Sequence, residues 1–341
     1  MQVKKNRHMK NNYFRHLVWC VSVVTLLAVS CTKNDVEIVP PLDDNSLPSA
    51  AVSNIAVIEK TDKFIRFSVR LAVFKDSKNM DNQLKAGHFV IDTISVSGNN
   101  YAFSNLKTIL SGGNSTGNYS ALMLMDQSGS ISSTDPNDYR LDAAKTFTKN
   151  IGANNNAWLW SFNGSTFKKY GENFSADTTT LLAQIEALRN QEGGSTPLYR
   201  SQYNAIEACA AKGDKQNKVV LTFTDGDDTE GGYTNKQVSD FAVSKSVRLY
   251  NIGLGSGSSL ELLPQAMAAN GAFIYAKDAR QLISMFGNLG KLLDLSAKFY
   301  DLEWRVNSLD SGIFTTGTMD IILKIKTPYN YTIEVPLRLK Y

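Results

Sequence analysis

The sequence predicts an α/β protein, a doubly wound and mostly parallel sheet inserted in a discontinuous β-sandwich. Three observations lead there. Between residues 118 and 298, near-continuous apolar runs such as "YSALMLM", "AWLWSF" and "KVVLTFT" alternate with amphipathic helical patterns, as in a parallel sheet covered on both faces. On either side, residues 51–117 and 299–341 carry runs rich in β-branched and aromatic residues, partly in alternation. Neither flank is large enough to bury a good core alone, so the two are expected to pair into one sandwich.

Residues 1–30 stand apart from this plan. Lys4, Lys5, Arg7, Lys10 and Arg15 precede an apolar stretch, "LVWCVSVVTLLAV" from Leu17 to Val29. It is too short for a comfortable membrane span and has the length of a signal-peptide core, an uncleaved membrane anchor being the alternative. The stretch ends in "LLAVSC", which resembles the lipobox of bacterial lipoproteins, with Val29 where a smaller residue is commoner. That resemblance implies that Cys31 becomes the lipid-modified first residue of the mature chain. Residues 31–50 are polar and Pro-bearing, without helical or strand period, and read as a flexible tether. Asp35 and Glu37 beside Lys33 loosely resemble the surface-export signal of Bacteroidetes-type lipoproteins.

The first flank contains "NIAVIEK", "FIRFSVRLAVF", "HFVIDTISVSG" and "YAFSNLKTIL", each read as a strand between Asp, Lys, Asn and Gly turns. The second contains "FYDLEWRVNSL", "TMDIILKIKT" and "YTIEVPLRLKY". In the middle, the helical patterns are "DYRLDAAKTFTKNI", "TTTLLAQIEALRNQ", "PLYRSQYNAIEACAAKG", "TNKQVSDFAVSKS", "SSLELLPQAMAANG" and "ARQLISMFGNLGKLLDLSAK". "VRLYNIGL" and "AFIYAK" supply further strands.

Charge and scarce residue types remove several function classes. The formal net charge of +4 leans on the N-terminus, since without its five basic residues the chain carries 31 Lys and Arg against 32 Asp and Glu. Such a protein has no global field to attract nucleic acid. Three cysteines are present, and Cys209 alone remains beyond Cys31, so no disulfide forms within the mature chain. Its place in a helical pattern makes it a buried small hydrophobe. Beyond residue 30 the sole histidine is His88, which leaves no set of ligands for a His/Cys zinc site and little for a nucleophilic triad. Carboxylate catalysis is not excluded by these counts.

Three short motifs fall at loop positions just past predicted strands. Asp126, Ser128 and Ser130 in "MDQSGS" follow the first central strand. An extended backbone there would point all three oxygens one way, toward a hard divalent cation. The same residues also suit an ordinary polar turn in which Ser132, Ser133 or Thr134 caps the next helix. Thr196 before Pro197 has the look of a helix N-cap. Asp225-Gly226 suits a hairpin, although the helical pattern that follows favours a strand-to-helix loop. Ligands of open parallel sheets bind beyond the carboxyl ends of the strands, and all three motifs lie on that edge. Asp227, Asp228 and Glu230 read as solvated rim residues, Trp158 and Trp160 as packing, and "GLGSGSS" from Gly253 as a tight strand-to-helix turn.

Taken together and in this order, Asp126, Ser128, Ser130, Thr196 and Asp225 resemble the metal-ion-dependent adhesion site (MIDAS) of the von Willebrand factor type A (VWA) domain. Residues 118–298 resemble that Rossmann-like domain as a whole. The resemblance implies a divalent cation, Mg2+ or alternatively Mn2+ or Ca2+, held directly by the hydroxyls and partly through water by the aspartates. A carboxylate from a partner protein would complete the coordination. Three neutral hydroxyls and two acids would leave a cation under-neutralised, which favours an incoming acid. The expectation is a non-enzymatic, adhesion-type binding module on an outer-membrane lipoprotein, at its periplasmic or surface face, anchored through Cys31. The alternative is an assembly scaffold in which the metal only stabilises the domain.

Overall fold

The computed structural model describes residues 47–76, 78–113, 117–255, 260–310 and 313–341. The expected signal peptide, Cys31 and most of the expected tether lie outside the described residues, as do Ser256–Ser259 of the Gly-rich turn. The chain opens with β1 (Ser49–Lys60), β2 (Phe64–Lys75), β3 (Lys78–Asn79), β4 (Phe89–Ile91), β5 (Ile94–Val96) and β6 (Asn99–Gly112). The middle follows with β7 (Tyr119–Asp126), helices α1 (Ile131–Thr134) and α2 (Tyr139–Lys149), then β8 (Asn156–Asn163) and β9 (Thr166–Ser175). Next come α3 (Thr178–Glu186), α4 (Leu198–Lys212), β10 (Asn217–Thr224), α5 (Asn235–Ser244) and β11 (Val247–Leu254). After α6 (Leu262–Ala268), β12 (Ala272–Ala276), α7 (Arg280–Phe286) and α8 (Leu289–Leu293), the chain closes with β13 (Lys298–Ser308), β14 (Thr318–Lys326) and β15 (Thr332–Lys340).

Twelve strands form one sheet in the order β5-β6-β13-β2-β1-β12-β11-β10-β7-β8-β9, with β3 pairing on β2. Strands β8, β7, β10, β11 and β12 run parallel, and β9 closes their edge antiparallel. Every residue of β7 is buried because both its faces are covered. Ala121, Met123 and Met125 pack toward one side with Leu141 of α2, Leu181 of α3 and Leu282 of α7. Leu122 and Leu124 pack toward the other, with Ile206 of α4, Val238 of α5 and Leu263 of α6. That two-sided burial is the physical reason the central strands read as unbroken apolar runs.

The flanks do form a second layer, and they also extend the first. β14 pairs with β15 and β4 in a three-stranded sheet, whose Leu323, Val335 and Leu337 share an apolar cluster with Leu71, Val73, Leu302 and Trp304 of the large sheet. The sandwich layer opposite is continuous with the α/β sheet, because β1 pairs antiparallel with β12 through Ala50–Val52 and Phe273–Tyr275. The segment "HFVIDTISVSG", read as a single strand, divides: β4 joins the small sheet and β5 the large one. β9 carried no strand signal, since Lys168, Lys169 and Glu172 face solvent along an edge, where charge deters further pairing.

Candidate metal centre

In the order β9-β8-β7-β10-β11-β12 the connections leave in opposite directions on either side of the β7/β10 boundary. A crevice opens at such a boundary beyond the carboxyl ends of the strands. Asp126 is the last residue of β7, and Asp225 immediately follows Thr224, the last of β10. Both carboxylates are thereby brought to the crevice by the parallel pairing of the two strands.

The first loop is shaped by Asp126. Its Oδ1 accepts the Ser128 backbone N–H at 2.7 Å, turning the chain back over the strand end, and its Oδ2 accepts Thr224 Oγ1 at 2.7 Å. Ser128 Oγ and Ser130 Oγ stand 3.2 Å apart, and Ser130 Oγ donates to Asp225 Oδ1 at 2.8 Å. Thr134 Oγ1 donates to the other Asp225 oxygen. Four of the five residues singled out in the sequence, Asp126, Ser128, Ser130 and Asp225, are therefore joined through one local hydrogen-bond network.

Thr196 is brought alongside by its backbone. The Gly129 N–H donates to Gly194 O at 3.0 Å, and the Gly193 N–H to Gln127 O at 2.9 Å, stapling the second loop to the first. On the other side, Thr196 N–H donates to Thr229 Oγ1 at 2.8 Å while Thr229 N–H donates to Thr196 O at 3.0 Å. Gly194 permits this approach twice over: its φ is +79°, and a Cβ there would stand 2.7 Å from Gly164 N.

The donor set is oxygen throughout, which suits a hard divalent cation and no soft one. Asp126 is fully buried, and burial pushes its carboxyl up to about 6. The bonds from Ser128 and Thr224 act against that rise, while the charge of Asp225 adds to it. With both its oxygens already accepting protein hydrogen bonds, Asp126 is placed to act on a cation through an intervening group, whereas the serine hydroxyls could turn their lone pairs to it directly. Among the described residues no group of three or more His, Cys, Asp and Glu side chains forms a metal cluster. The candidate centre has two carboxylates and draws its other donors from hydroxyls.

Several polar residues do different work from what their sequence positions suggest. Ser132 and Ser133 donate to the carbonyls of Gly129 and Ser130 at 2.8 Å, and Thr134 bonds Asp225, so none of the three caps a helix. Thr196 does not cap α4 either. Asp228 does so instead, accepting the Tyr199 N–H at 3.0 Å, and it also accepts Gly231 N–H. Glu230 accepts a hydrogen bond from Ser195 Oγ. Of the three acids read as a solvated rim, Asp227 is exposed, while Asp228 and Glu230 are half-buried. Thr224 and Thr229, which shape the site together with Thr134, carried no separate signal in the sequence. Asp225-Gly226 begins a strand-to-helix loop leading to α5, not a hairpin. Cys209 is buried, and burial pushes its thiol up to about 12. Trp158 and Trp160 pack edge to face at 5.2 Å inside the fold.

Residues 122–288, just under half of the chain, match the family model described as von Willebrand factor type A domain. Among solved structures, the chain is similar to proximal thread matrix protein 1 of the mussel byssus with a zinc-occupied MIDAS motif. The identity is 17%, over 57% of this chain and 49% of that one, with a TM-score of 0.45. This chain thus spans about half the length of the mussel protein. It is similar to a von Willebrand factor type A protein from Catenulispora acidiphila at 13% identity, over 86% and 74% of the two chains, TM-score 0.41. A third is the vWF domain of the type V pili tip protein Mfa5 from Porphyromonas gingivalis, at 14%, over 52% and 95%, TM-score 0.40. No curated protein sequence matches the chain. The family match and the sheet order, with its reversal at the β7/β10 boundary, give residues 122–288 the fold of a von Willebrand factor type A domain.

Proposed function

We propose that this protein is a divalent-cation-dependent, adhesion-type protein-binding module carried on a cell-envelope lipoprotein. The observation that carries the reading is the convergence of Asp126, Ser128, Ser130 and Asp225 in one hydrogen-bonded cluster at the β7/β10 crevice, with the Thr196 loop stapled beside it. Asp126, Ser128, Ser130, Thr196 and Asp225 would hold Mg2+, or Mn2+ or Ca2+ in its place. A bound cation would offer a partner protein's carboxylate a charge-assisted contact. The residues of the chain provide the rest. Asp126, fixed by Ser128 N–H and Thr224, orients the first loop, and the Thr229 pair sets the height of Thr196.

The module acts by binding and not by catalysis. It is held at the outer membrane through lipid on Cys31, at its periplasmic or cell-surface face, and no nucleic acid is among its partners. The test is an affinity capture with the full-length chain, run in Mg2+ and in chelator. A partner captured in Mg2+, released by chelator and lost in Asp126→Ala and Thr196→Ala supports the reading. Capture that survives chelator, together with a cation effect on thermal stability, would instead favour a scaffold whose metal only stabilises the domain.

A further inference from the structure

Gln127 lies between two of the residues assigned to the cation, yet its side chain turns inward. All four of its polar groups are used. Its N–H donates to Phe162 O at 2.9 Å and its carbonyl accepts Gly193 N–H at 2.9 Å. Its amide Nε2 donates to Leu188 O at 2.6 Å, and its Oε1 accepts from Arg140 Nη2. Arg140 is itself 1% exposed. The same Nη2 donates to Glu192, four residues ahead of Thr196, while Nη1 donates to Asp138 at 2.7 Å and Asp135 at 3.1 Å.

A buried guanidinium with three carboxylates is an expensive arrangement unless its geometry is well satisfied, and it is weak grounds for stability alone. Its location gives it another use. The second loop approaches the first through Gly193 and Gly194, which have no side chains to pack, so backbone hydrogen bonds and whatever lies beneath must fix their distance. Arg140 lies beneath, bonded at once to the side chain between Asp126 and Ser128 and to the acid that begins the Thr196 loop.

We propose that Arg140 is a positioning residue for the cation site, acting through Gln127 and Glu192 to hold the Asp126–Ser130 loop and the Thr196 loop at a fixed separation. The proposal rests on the cation reading above. Residues that orient metal ligands without touching the metal change affinity by about 10-fold to 100-fold when replaced.

The test uses the full-length chain and Mn2+ as the probe, titrated by calorimetry into the unaltered protein, Gln127→Met and Val247→Ala. Gln127→Met keeps the buried volume and removes both side-chain bonds. Val247→Ala makes a cavity at the amino-terminal end of β11, at the sheet edge opposite the site. It controls for loss of stability. The expected result is a Kd raised on the order of 10-fold or more in Gln127→Met and unchanged in Val247→Ala. In the cation-free proteins, amide exchange over Gly193–Thr196 should also accelerate in Gln127→Met and not in Val247→Ala. Equal Mn2+ affinity in Gln127→Met and the unaltered protein, or equal weakening in both variants, overturns the positioning role while leaving the cation reading intact. Failure of the unaltered protein to bind Mn2+ overturns both.

Discussion

Replacing Asp126 by Asn should make the cation-free protein more stable at neutral pH. Asp126 is fully buried at the end of β7, and its carboxyl is raised from 3.8 to about 6 because desolvation disfavours its charge. Between those two values the folded state holds a proton that the unfolded state has released. Stability is therefore greatest below about pH 4 for this group and is lost as pH rises through about 6. At 1.36 kcal/mol per pH unit, the rise corresponds to about 3 kcal/mol of destabilisation at pH 7.5. Asparagine removes the charge and can keep the hydrogen bonds. Its amide can face Thr224 Oγ1, which already accepts Gly226 N–H and can turn its own proton to Gly226 O. The assay is urea unfolding in chelator at pH 4.5 and pH 7.5. Asp126→Asn should exceed the unaltered protein by about 2–3 kcal/mol at pH 7.5 and match it more closely at pH 4.5. Adding Mg2+ should stabilise the unaltered protein far more than the variant. An Asn variant that is no more stable at pH 7.5 than the unaltered protein, or a difference that does not change with pH, would refute the reasoning.

Arg140→Met should leave Asp135 and Glu192 without a cationic partner, and Asp138 with Arg189 alone, and lower stability by about 3–5 kcal/mol in thermal or urea unfolding. Gly271→Ala should be strongly destabilising, because a Cβ there would stand 1.8 Å from the Leu249 carbonyl oxygen, and backbone must move to admit it. Overpacking of this kind costs about 1–3 kcal/mol or more, measurable as a fall in Tm. Cys209, on the buried face of α4 with its thiol held up at about 12, should resist thiol reagents in the native protein and react at the rate of local opening when urea is titrated in.

The α/β part of the fold was legible in the sequence because a parallel sheet covered on both faces leaves few polar residues inside its strands. Asp126 and Asp225 stood out as candidates for the same reason, being where those apolar runs stop. What escaped notice depends on pairing at long range. β9 looks like a charged loop until β8 is beside it, and β1 gives no sign that its partner is β12, more than 200 residues away. The role of Arg140 was hidden by its position in "DYRLDAAKTFTKNI", where it reads as one polar residue on an amphipathic helix. Only the fold reveals that Gln127 and Glu192 meet it. Asp228 shows the converse case, an acid whose hydrogen bond to Tyr199 N–H belongs to a helix 29 residues earlier in the chain.

The antiparallel pairing of β1 with β12 also fixes the direction from which the chain enters the fold. Ala50 stands opposite Tyr275, so the chain arrives at the same sheet edge that carries Asp126 and Asp225, and Pro48 O is tied there by Gln281 at 3.0 Å. At the usual strand spacing, β1 lies about 17 Å across the sheet from the β7/β10 crevice. The chain therefore joins the fold on the edge that carries the candidate site, a few strands to one side of it. A change confined to Pro48 or Ser49 would thus alter the rim beside the crevice without touching any of the five candidate ligands.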